Sequence, residues 1–133
     1  MLGRLNHVAI AVTDLKSATN TYRDILGAKV GEPLDQPEHG VTVVFIELPN
    51  TKVELITPLG ENSPIFNFLY KNKNGGIHHI CYEVKNLELS INILMKNNYK
   101  IIGNNPKIGA HGKPVIFLHP SDFDGTLIEL QEE

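Results

Sequence analysis

The chain moves between two hydrophobic rhythms. "NHVAIAV", from Asn6, is a strand-like apolar stretch. After it Leu15, Ala18, Tyr22, Ile25 and Leu26 recur three and four apart, as one face of a helix requires. Asp14 is placed to cap that helix and Gly27 to end it. Beyond it the period falls to two, or the run becomes wholly apolar. Lys29-Val30, "VTVVFIEL" (41–48) and "KVELITP" (52–58) therefore read as strands. "GEPLDQPEHG" between them carries the Gly and Pro of a loop.

The same order then returns. "HHICYEV" opens a second strand, Asn86 caps a helix with Leu87, Ile91, Leu94 and Met95 on one face, and three strands follow. These are "YKII" (99–102), "VIFLH" (115–119) and "TLIEL" (126–130), with "GNNPKIGAHGKP" as the intervening loop. Superposing His7 on His79 gives an offset of 72 and also aligns Val12 with Val84 and Asp14 with Asn86. Near the ends of the copies, Glu54 aligns with Glu129 at an offset of 75, a net insertion of three residues. The expected class is α+β: two tandem βαβββ modules, about 4–58 and 76–131. A linker of about 59–75 joins them, with a short helix entered at Ser63-Pro64. The whole of 1–133 is expected to be a single domain.

Composition narrows the function classes. The 133 residues carry a net charge of −3, and the lysines are scattered among asparagines, so nucleic acid is not expected as a partner. No apolar run approaches the roughly 18 residues of a membrane span. The start runs almost directly into a strand, so no targeting segment is expected ahead of the fold. The single cysteine, Cys81, forbids an intrachain disulfide and fits a reducing compartment, the cytoplasm or a mitochondrial matrix.

The repeat also places chemistry. His7 and His79 stand in the two first strands, and Glu54 and Glu129 in the two last, at equivalent positions. A carboxylate in an apolar strand is costly to bury unless paired or bound to a metal. Two imidazoles and two carboxylates suit one divalent ion, with Co, Mn, Ni and Zn all possible. Of the doubled histidines, His79 aligns with His7 and is assigned to the metal. His78 points to the other face.

"LNHVAIAV", "KVELITPLGENSPI", "GIHHICYEV", "PKIGAHGKPVIFLHP" and "GTLIEL" together resemble the vicinal-oxygen-chelate (glyoxalase/bleomycin-resistance/dioxygenase) superfamily. Within it the chain is most similar to the methylmalonyl-CoA epimerase family. The resemblance covers essentially the whole chain and implies a curled mixed sheet around a metal-containing cleft, with a divalent ion, cobalt first, held by His7, Glu54, His79 and Glu129. It implies inversion at C2 of methylmalonyl-CoA through a metal-stabilised enolate, and a homodimer. For that chemistry Glu129 is the expected base and Glu47 the candidate at the opposite face. His111 and Lys113 are candidates for contacts with the acyl carboxylate or CoA. The family's frequent H-P-K-D reads His119-Pro120-Ser121-Asp122 here, without the lysine. The competing readings are a glyoxalase I-type isomerase, which uses the same ligand types, and a metal-free binding or resistance module.

Overall fold

The computed structural model describes residues 1–133. Nine strands and three α-helices make up the expected α+β fold. The chain folds as two compact units: His7–His78, and Met1–Asn6 together with His79–Glu133.

In the unit His7–His78, β1 (Leu2–Ala11) contributes its second half and runs parallel to β5 (Lys52–Pro58). β4 (Val41–Glu47) pairs antiparallel with β5, and β2 (Lys29–Val30) and β3 (Leu34–Gln36) pair antiparallel with β4. One sheet face packs on helix α1 (Leu15–Asn20) and the turns after it. Val44, Ile46 and Leu55 form that core with Ile10, Leu15, Ala18 and Tyr22 against it. Asp14 caps α1 by accepting from the Ser17 N–H at 3.0 Å.

The unit containing His79–Glu133 uses the same plan. β6 (Gly76–Val84) runs parallel to β9 (Ile128–Glu132), which pairs antiparallel with β8 (Pro114–Leu118), and β8 with β7 (Ile101–Ile108). Helix α3 (Leu87–Lys96), capped by Asn86 through the Leu89 N–H at 2.7 Å, closes a core of Val84, Leu87, Leu94, Ile116, Leu118 and Leu130. Glu132 reaches from β9 to accept from the Leu87 N–H at 2.9 Å.

Several expectations change. The loop 31–40 contains the short strand β3 and a 3-10 turn, Pro37–His39. Residues 103–108, read as loop, extend β7. As the outer strand it needs only one hydrogen-bonding partner, and a register shift between Ile102 and Lys107 accommodates the run that holds Gly103 and Pro106. Ile25, Leu26 and Met95, expected on core-facing stripes, are exposed. For the first two the cause is a π-helical turn, Thr21–Ile25, whose wider winding rotates them off the packed face. Gly27 follows it at φ +68, the left-handed conformation expected of a helix terminator.

The linker helix forms as α2 (Ile65–Lys71), directly after Pro64. The segment before it is anchored: the Ser63 hydroxyl donates to the Gly40 carbonyl and accepts from the Ile65 N–H, and the Leu59 N–H also donates to Gly40. Gly40 has φ +66, and a Cβ there would lie 3.1 Å from the Ser63 Cα. No helix is long and apolar enough to cross a membrane.

Candidate active site

In each unit the sheet has a face turned away from its helix-packed core. Side chains alternate along a strand, and directly paired residues share a face. The register therefore puts His7, Ala9 and Ala11 of β1 on one face with Lys52, Glu54 and Ile56 of β5 and Val43, Phe45 and Glu47 of β4. Glu54 lies directly between Ala9 and Phe45. His7 is one diagonal step away, and its Nε2 is 3.1 Å from Glu54 Oε2. Both side chains are buried, His7 at 2% and Glu54 at 6% exposure. Ala9, with a single methyl, leaves the space the ring crosses.

The other unit repeats the arrangement. Glu129 lies directly between Cys81 and Phe117, in the same relation as Glu54 to Ala9 and Phe45. His79 is the diagonal neighbour, with Nε2 2.9 Å from Glu129 Oε2. Phe117 meets the His79 ring edge-on, centroids 5.3 Å apart. The chain thus buries two His–Glu pairs, each joined through the same atoms. His78 faces the other way and packs edge-on to Phe68 at 5.1 Å.

These pairs fit a divalent ion by their own chemistry. Two ligand atoms each about 2.1 Å from an ion at a right angle sit about 3.0 Å apart. That separation also suits an N–H···O hydrogen bond, which is how an imidazole can satisfy a buried carboxylate. Imidazole nitrogen and carboxylate oxygen are donors that Co, Mn, Ni and Zn all accept.

The other expected residues are placed differently. Glu47 shares the face of Glu54 but sits two residues beyond Phe45, at the exposed end of β4, between Lys29 and Lys52 in register. His111 and Lys113 lie in the hairpin between β7 and β8, closed by Gly109 N–H to the Lys113 carbonyl at 2.9 Å. Lys113 Nζ donates to the Glu133 carbonyl at 3.0 Å and remains exposed. His111 Nδ1 stands 3.2 Å from Gln131 Oε1.

Two features of these faces, the approach of Gly109 and the matched phenylalanines, escaped the sequence reading, whereas strand parity alone puts Gln131 beside Glu129. Gln131, 5% exposed, stands on the face of Glu129 two residues further along β9. Gly109 brings loop backbone over the carboxylate: a Cβ there would meet Val115 Cγ1 at 2.9 Å and Glu129 Oε1 at 3.7 Å. Phe45 and Phe117 flank the two glutamates at matching positions. That last signal was present, since both phenylalanines fall at the 72-residue offset of the histidines. Ser121, where the resemblance would put lysine, folds back with its hydroxyl 2.8 Å from His119 Nδ1.

Comparison with known proteins adds to this geometry. Residues 6–117 match the model of the Glyoxalase/Bleomycin resistance protein/Dioxygenase superfamily. The chain is 61% identical over 133 residues to the ethylmalonyl-CoA/methylmalonyl-CoA epimerase of Cereibacter sphaeroides, covering 99% of each chain. It is 58% identical over 131 residues to the mitochondrial methylmalonyl-CoA epimerase of Bos taurus, covering 98% of this chain and 75% of the relative. Among solved structures, a variant of Streptomyces coelicolor methylmalonyl-CoA epimerase in complex with 2-nitronate-propionyl-CoA superposes with a TM-score of 0.92. There the identity is 27%, with 100% of this chain and 99% of the other covered.

Proposed function

Because the chain belongs to the Glyoxalase/Bleomycin resistance protein/Dioxygenase superfamily, we propose that it inverts C2 of methylmalonyl-CoA by removing and returning a proton. Identity of 61% and 58% to named epimerases over nearly the whole of this chain supports the reaction. The observation that carries the site is the repeated His–Glu pair, His7 with Glu54 and His79 with Glu129.

The proton at C2 lies between a thioester and a carboxylate, so its removal gives a planar enolate with charge on the thioester oxygen. A nitronate is likewise planar and anionic, which makes the Streptomyces coelicolor ligand a chemical likeness of that enolate. In this proposal His7, Glu54, His79 and Glu129, all residues of metal-ligating type, hold one divalent ion per chain, with cobalt the first choice. When bound, such an ion supplies a Lewis acid for the developing oxygen charge, worth several kcal/mol in the transition state.

The remaining work falls to side chains. Glu129 is the base: its Oε2 meets His79, and its Oε1 lies towards Gly109. The second group is drawn from Glu47 and His111. Lys113, exposed at the rim of its hairpin, offers a cation to the acyl carboxylate or a phosphate of CoA. A homodimer in the cytoplasm or mitochondrial matrix completes the reading, the dimer resting on family resemblance alone and open to sedimentation measurement.

The experiment is direct. Purified protein loaded with cobalt or manganese should interconvert the two epimers of methylmalonyl-CoA, followed by chiral separation or a coupled mutase. It should form no lactoylglutathione from glutathione and methylglyoxal. Lactoylglutathione formation with silent methylmalonyl-CoA would move the chain to the glyoxalase reading.

A further inference from the structure

We propose that His111, oriented by the buried carboxamide of Gln131, exchanges the proton on the face of C2 turned away from Glu129. The assignment rests on the epimerase reading above and names the second acid–base group it requires. Gln131 follows Glu129 by two residues on β9, so both side chains rise from one sheet face. Glu129 stays low on that floor, its Oε2 against His79. Gln131 extends to the hairpin, where its Oε1 is 3.2 Å from His111 Nδ1. An amide oxygen only accepts, so Nδ1 carries the hydrogen in this bond. The basic atom of the neutral ring is then Nε2, which is screened from solvent. Gly109 carries the same hairpin over the carboxylate, its missing Cβ 3.7 Å from Glu129 Oε1. Glu129 thus lies on the sheet face and His111 in the hairpin that crosses it, and in this proposal the bound enolate turns one face to each.

The transfer balances. Glu129 takes the C2 proton, and the C–H electron pair moves onto the thioester oxygen. The His111 imidazolium then gives its Nε2 proton to the opposite face while the electron pair returns to C2. Glu129 is left protonated and His111 neutral, and solvent exchange resets both. Substrate of the other configuration uses the two groups in reversed roles.

The test incubates each epimer separately with metal-loaded protein in deuterated water and reads deuterium at C2. In His111→Ala, inversion should fall roughly 100-fold or more, the usual worth of a positioned acid or base. The epimer whose proton faces Glu129 should still exchange at the wild-type rate, and the other should not. Where alanine lowers the metal content, His111→Gln carries the same test. Gln131→Met, of similar length but without the acceptor, should lower kcat about tenfold with KM unchanged. Ring ¹⁵N NMR of the metal-free Gln131→Met protein should also lose the Nδ1-protonated tautomer. An unchanged inversion rate in the His111 variants overturns the assignment. So does equal loss of exchange from both epimers at full metal content, or one-sided exchange arising in Glu47→Gln instead. Failure of the wild-type protein to invert methylmalonyl-CoA defeats the epimerase reading itself, and the tautomer measurement is independent of it.

Discussion

Phe117 lies directly across the β8–β9 ladder from Glu129 and stands perpendicular to the ring of His79, centroids 5.3 Å apart. One aromatic side chain therefore borders both members of a buried His–Glu pair. An edge-to-face contact fixes the plane of the imidazole, and so the direction in which Nε2 points. Phe117→Leu keeps an apolar side chain but removes that restraint. It should lower metal affinity about tenfold while costing no more than about 1.5 kcal/mol of stability. Competition with a fluorescent chelator and a urea melt measure the two. Unchanged affinity would mean that packing elsewhere orients His79.

The doubled histidine makes a sharper comparison. His79→Ala removes a proposed ligand, whereas His78→Ala removes a ring that packs on Phe68 on the other face. Metal content after dialysis should collapse in the first variant and remain near one ion per chain in the second. His7→Ala should resemble His79→Ala, because the two pairs are equivalent in geometry. Chelator should abolish turnover and added cobalt or manganese restore it. Metal at about 100 times its Kd should also stabilise the fold by about 2.7 kcal/mol, visible as a raised Tm. Turnover in rigorously metal-free protein would end the metal proposal.

The glycine over Glu129 offers a test of the hairpin. A methyl at Gly109 would press on Val115 Cγ1 at 2.9 Å, so either the valine or the loop must move. Val115 is buried at 2% exposure in the paired strand β8, which leaves the loop to give way. Gly109→Ala should therefore lower kcat several-fold at unchanged metal content, a penalty of about 1 kcal/mol in the transition state. Limited proteolysis should show faster cleavage within 109–113. Wild-type kcat would show that the hairpin tolerates displacement from the carboxylate.

Much of this was readable from the residues because the protein states its plan twice. A histidine in one strand means little, but His7 and His79 in register, with Glu54 and Glu129 in register, have few common explanations. The residues the sequence left obscure are those whose role depends on a partner distant in the chain. Strand parity puts Gln131 on the face of Glu129, but only the folded chain brings it to His111. Gly109 belongs to a Gly-rich loop, and only the folded chain reveals which of its glycines faces a carboxylate. Ile25 and Leu26 were misread for a different reason. A π-helical turn adds a residue to the winding, and no local residue type announces it.

Ser63 separates the part of the motif that holds the fold from the part that holds the chemistry. "TPLGENSPI" contributed to the resemblance, yet in the structure its serine ties down Gly40 at the entry to β4. The Ser63 side chain is buried, at 6% exposure, and it both donates to the Gly40 carbonyl and accepts from the Ile65 N–H. Ser63→Ala strips a donor from that carbonyl and an acceptor from that amide. The Gly40 carbonyl keeps the Leu59 N–H, so the cost should be about 1 kcal/mol of stability, the worth of the lost hydrogen bonds rather than of an orphaned carbonyl. The methyl itself fits without strain, so no packing penalty adds to this. Because Ser63 lies outside the His–Glu pairs and the Gly109–Lys113 hairpin, metal affinity and kcat at 25 °C should stay within twofold of wild type. Thermal melts and steady-state kinetics on the same preparation distinguish the outcomes. A fall in kcat of tenfold or more with little change in Tm would make the serine part of the reaction rather than of the scaffold.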